Sequence, residues 1–107
     1  SHMHADQTHG INDLRIFFIK NKKTIPVYAD ISTSKYLMKT FSYCFKKNSN
    51  EYPPILNLNI LKKNFFFKDG NKKIYIKSVS VIHGNVKSIC YIIDNNKTVN
   101  YLSSWYV

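Results

Sequence analysis

At 107 residues the chain has room for one modest core, and its 44% hydrophobic content excludes a wholly disordered protein. Sixteen Lys plus Arg against six Asp plus Glu give a formal net charge of +10. That excess favours anionic partners: membrane headgroups, nucleic acid or an acidic protein. No run of the sequence approaches the roughly 18–20 apolar residues of a membrane span.

Only Arg15 can fork onto a phosphate or carboxylate. The other cations are Lys spread over every segment, and with the many Asn and Ile they read mainly as the product of an AT-rich genome. Ser1-His2-Met3 reads as the scar of a cleaved tag. Residues 4–13 (HADQTHGIND) read as a poorly ordered polar lead-in, so residues 1–13 are set apart from a single α+β domain over 14–107. A start at His4-Ala5-Asp6 without its own Met suggests trimming from a longer protein.

Leu14–Lys20 (LRIFFIK) is expected as a strand, although its apolar run assigns no faces. Ile25–Ile31 (IPVYADI) alternates and forms the returning strand, with Pro26 favouring an edge. Ser32-Thr33-Ser34 offers capping oxygens to an amphipathic helix over Thr33–Asn48. Leu37, Phe41 and Cys44 recur there at helical spacing. Pro53-Pro54 forbids its continuation.

Ile55–Leu61 (ILNLNIL) alternates again, with Leu56, Leu58 and Ile60 inward. Asp69-Gly70 between NFFFK and KKIYIK is a strong hairpin signal. Along Lys73–Ile82 the apolar positions change parity, which predicts a bulge near Lys77-Ser78. Val86–Ile93 is apolar on both faces, as in a central strand, and Thr98–Val107 closes the set. The expected fold is α+β, one amphipathic helix packed on a mainly antiparallel sheet, in the order β-β-α-β-β-β-β-β.

The chemistry-bearing residues are sparse. Cys44 and Cys90 both fall on faces expected to be buried. Two buried thiols or a disulfide are the readings, the disulfide favoured by the even count and the trimmed start. No CxxC and no ligand spacing among Cys and His predicts no metal site and no cofactor. His83, in an HGN turn, has no nucleophile, oxyanion donor or second acid assigned to it, so no catalytic residue is expected. Phe65-Phe66-Phe67 must expose at least one ring if strand alternation holds. Phe65, Phe67, Tyr101, Trp105 and Tyr106, fringed by Lys63 and Lys68, are the expected ligand or partner surface.

The helix ending Cys44-Phe45-Lys46-Lys47, the extended ILNLNI run and the late Cys90 resemble the periplasmic domain of ToxR-type membrane-bound transcription regulators. The resemblance covers Leu37–Cys90 and rests on order and spacing. It implies a Cys44–Cys90 pairing and a sensory role in the periplasm; the added strand at Thr98–Val107 and the basic charge depart from the pattern. The expected function is therefore a periplasmic sensory or protein-interaction domain of a bacterial signalling or virulence system, and not an enzyme. A membrane or periplasmic protein is its expected partner and a bile-salt-like amphipathic anion its expected ligand; nucleic acid is not expected. The full-length chain is expected to be membrane-anchored or secreted. The alternatives are a small basic secreted enzyme, such as a nuclease toxin using His83, and an adhesin or toxin-binding subunit.

Overall fold

The computed structural model describes residues 1–47, 52–95 and 99–102, the last two without their side chains. The chain divides into two compact units, His2–Ile60 and Leu61–Val107, with Ser1 belonging to the second.

In the first unit the lead-in is ordered. It forms helix α1 (Ala5–Thr8) and a 3-10 turn over Ile11–Leu14. The stretch expected as a first strand is helix α2 (Arg15–Asn21), closed by Lys22 in the left-handed region at φ 53°. The reason is spacing: Ile11, Leu14 and Phe18 fall at i, i+3 and i+7 and pack on the buried core. A strand would have required alternate burial, which RIFFIK cannot supply.

Strand β1 (Ile25–Ala29) and strand β2 (Leu56–Ile60) pair in parallel from Ile25↔Leu56 to Ala29↔Ile60. A parallel pair needs a long crossover, and the segment between the strands provides it. Helix α3 (Ile31–Thr40) leads to a one-turn helix α4 (Ser42–Phe45). The expected single helix is thus two, broken at Phe41, whose φ −122° and ψ 37° lie outside the helical region. The cap is Asp30, whose side chain accepts the Thr33 N–H at 3.0 Å, and not the Ser-Thr-Ser run. Ala29, Leu37, Phe41, Cys44, Ile55 and Leu56 form the buried core of this unit. Leu56 and Leu58 follow the expected inward pattern, whereas Ile60 is exposed.

The second unit is a four-stranded antiparallel sheet in the order β3-β4-β5-β6: Asn64–Asp69, Lys72–His83, Val86–Asp94 and Val99–Leu102. Its first two hairpins have two-residue loops, Gly70-Asn71 and Gly84-Asn85. In each only the glycine has positive φ, 61° and 58°, the pattern of a type II′ turn. β5 is central, as its two-faced apolar composition predicts. No bulge interrupts β4: its ladder with β5 runs in one register from Tyr75↔Asp94 to His83↔Val86. The parity change arises because burial switches faces along a straight strand, from Ile74, Ile76 and Ser78 to Val81 and His83. The Ser1 carbonyl belongs here, accepting the Ile89 N–H at 3.1 Å.

The mixture of helices and antiparallel sheet stands as expected; the order β-β-α-β-β-β-β-β and the single helix do not. The part of the last strand beyond Leu102, with Thr98, lies outside the described residues. No described helix is long and apolar enough to cross a membrane.

Candidate metal centre

In the first unit the extended residues before α1 bring two imidazoles together. His4 is the residue preceding α1, with φ −59° and ψ 151°, so its backbone is not helical. The side chains of His2 and His4 point to a common side, as alternate residues of an extended segment do. His2 Nε2 and His4 Nδ1 stand 3.1 Å apart. Their ring centroids are 4.6 Å apart at an interplanar angle of 80°. Two rings meeting head to head across that contact would lie farther apart, so the ring axes converge.

Thr8 holds this arrangement. From within α1 its buried hydroxyl reaches back to the carbonyls of Met3 at 3.3 Å and His4 at 3.1 Å. The Gln7 N–H also donates to the His4 carbonyl at 2.9 Å. The segment carrying both imidazoles is therefore tied to the first turn of the helix.

A 3.1 Å contact between imidazole nitrogens has two chemical meanings. One is a hydrogen bond, which needs a proton on one nitrogen and a lone pair on the other. The other is two lone pairs addressing one cation. Two nitrogens bound tetrahedrally at ~2.0–2.1 Å lie about 3.3 Å apart, close to the observed separation. The residues fit a metal such as zinc: neutral nitrogen donors, one ring almost wholly buried (His2, 1% exposed), and a backbone fixed by Thr8. Asp6, two residues after His4, adds a carboxylate in the first turn of α1, where its Oδ2 accepts from Gln7 Nε2 at 3.4 Å.

His9 is differently engaged. Its Nε2 is 3.3 Å from the Tyr36 hydroxyl, and its ring lies edge-on to Phe41. In the second unit His83 ends β4 beside Gly84. The pattern His2-x-His4-x-Asp6 was visible in the chain; setting Ser1–Met3 aside as a scar removed one of its members.

Cys44 and Cys90, the expected disulfide partners, are thiols in this structure and belong to different units. Cys44 lies wholly buried in the core of the first unit, its Sγ 4.0 Å from Asn12 Oδ1, whereas Cys90 pairs through its backbone with Val79 in the second. Burial pushes the Cys44 thiol up, against the smaller lowering effects of Tyr43 and Arg15. A thiol held protonated is not a nucleophile at neutral pH. Burial likewise raises Tyr43, with Cys44 adding to the effect and Arg15 opposing it. Arg15 lies 5.5 Å over the Tyr52 ring.

Of the expected partner surface, Phe65 and Phe67 share one face of β3, half-buried and edge to face at 5.4 Å. Lys68 is exposed on the opposite face, and Lys63 precedes the strand, its carbonyl accepting the Ser78 N–H at 2.8 Å. Tyr101 pairs through its backbone with Ile92; its side chain, Trp105 and Tyr106 lie outside the described residues. The exposed ring is Phe66, which was not among the expected residues.

Residues 1–104 match the family model described as a beta-lactamase superfamily domain. No curated protein matches the chain. The family match points to hydrolases and overturns the expectation of a non-enzyme. It does not bear on the resemblance to ToxR-type periplasmic domains.

Proposed function

This chain belongs to the beta-lactamase superfamily domain family, and from that premise we propose that it is a metal-dependent hydrolase. The observation that carries the reading is the His2–His4 pair, with nitrogens 3.1 Å apart and one ring buried. The donors proposed for the ion are His2 and His4; His9 of the same unit has its Nε2 engaged with Tyr36.

When bound, a divalent ion on neutral imidazoles makes its water a nucleophile near neutral pH and polarises the bond to be cleaved. The protein's part is to present the histidines neutral and fixed. Thr8 supplies the fixing through the Met3 and His4 carbonyls. Asp6 is the carboxylate proposed to accept a proton during hydrolysis.

Metal titration by calorimetry, with activity on a panel of chromogenic esters, phosphodiesters and β-lactams, tests the proposal. Wild type is expected to bind zinc and lose hydrolysis to a chelator. His2→Ala and His4→Ala are each expected to weaken zinc binding by at least about 100-fold. Unchanged zinc affinity in both variants would reject the site. Hydrolysis that survives complete chelation would reject the metal's role.

A further inference from the structure

Strand alternation sorts the side chains of β3 and β4 onto two faces, and one face carries an unusual set. Phe66 and Tyr75 are directly paired across the ladder, 51% and 44% exposed, with ring centroids 6.1 Å apart. Lys68, Lys73 and Lys77 share their face and are exposed. The Lys73 ammonium sits 5.1 Å over the Phe66 ring. A groove of about 450 Å³ runs beside the rings, bordered by Asn64, Lys77, Ile92 and Asp94.

Lys68 and Lys73 are also direct cross-strand partners. Like charges in that position destabilise a sheet, so folding alone does not account for them. A polyanion would relieve the repulsion. A second copy of the chain would add to it by presenting the same cations. Exposed rings flanked by cations suit unpaired bases, because each base offers a π-face and each lysine can meet a phosphate. Asp94, the carboxylate of the groove, stands in β5, so the phosphates would follow the lysines of β3 and β4.

We propose that this face of the second unit binds single-stranded nucleic acid, the bases stacking on Phe66 and Tyr75 and the phosphates meeting Lys68, Lys73 and Lys77.

The test is fluorescence anisotropy of the full chain with a labelled 12-nucleotide oligouridylate. Running it in chelator separates failure of binding from failure of the metal centre. Saturable binding is expected, with log K falling against log salt at a slope of about −2 for three phosphates contacted. The double variant Phe66→Leu/Tyr75→Leu, which keeps apolar bulk, is expected to bind at least about tenfold more weakly. Lys68→Gln/Lys73→Gln is expected to flatten the salt slope by about 1.4. A matched duplex is expected to bind at least about tenfold more weakly than the single strand. Circular dichroism and thermal melts establish that both variants are folded. Wild-type affinity in the ring variant, equal binding of duplex, or binding only to phosphatidylserine vesicles would overturn the proposal. Sedimentation showing that these rings mediate self-association would do so too.

Discussion

The Thr8 hydroxyl donates to the His4 carbonyl at 3.1 Å, fastening the extended histidine segment to the helix that follows it. Because Thr8 is buried, its loss cannot be made good easily by water. Thr8→Val, which keeps the shape, is expected to cost about 1 kcal/mol of stability. If the segment holds a metal, zinc affinity should fall about tenfold, as for other residues that orient ligands. Urea unfolding and zinc competition measure the two effects; a stability loss with unchanged zinc affinity would show that Thr8 serves the fold alone.

Stability should fall in alkali through Cys44. Its thiol is pushed above the ordinary value of 9.0, first by burial. Below that value both folded and unfolded chains keep the proton. Above it the unfolded chain ionises first, so stability is lost as pH rises toward the folded value, by at most ~1.4 kcal/mol per pH unit for one group. Tyr43 adds a loss of the same sign above its ordinary 10.0. Urea unfolding between pH 7 and pH 10.5 should show a shallower decline in Cys44→Ala than in wild type, whatever the variant's starting stability.

The Asp30 cap gives a local test of α3. Asp30→Ala removes the acceptor of the Thr33 N–H and is expected to cost about 1 kcal/mol. Asp30→Asn or Asp30→Ser should recover most of it. A variant series in which Ala equals Asn would mean that the 3.0 Å contact contributes nothing measurable.

Gly84 follows His83 at φ +58°, and a Cβ there would meet nothing within 4 Å. The cost of Gly84→Ala is therefore purely conformational, about 1–2 kcal/mol. Gly84→Asn should cost less, since Asn is among the residues that occupy the positive-φ positions of such turns. Equal stability of the Ala variant and wild type in thermal melts would refute the turn assignment.

The sequence by itself determined the features written in short-range chemistry. The alternation of IPVYA and LNLNI, the turn at Asp69-Gly70 and the two-faced β5 all reappear in the fold. Strand period and turn conformation depend on neighbouring residues, so they can be read locally. Exposure of one ring of the Phe65–Phe67 run follows from the same alternation.

Tertiary structure decided the rest. RIFFIKN is helical because Leu14 and Phe18 meet a core contributed by distant residues, which decides between their helical spacing and an apolar run that a strand could also use. β1 pairs in parallel with β2, some thirty residues on, because α3 and α4 carry the chain across. The histidines required both levels. His2-x-His4 was legible as spacing, but its meaning depended on an extended backbone ending at α1 and on Thr8 reaching back to hold it. Spacing sets which nitrogens can meet; only the fastened backbone keeps them 3.1 Å apart.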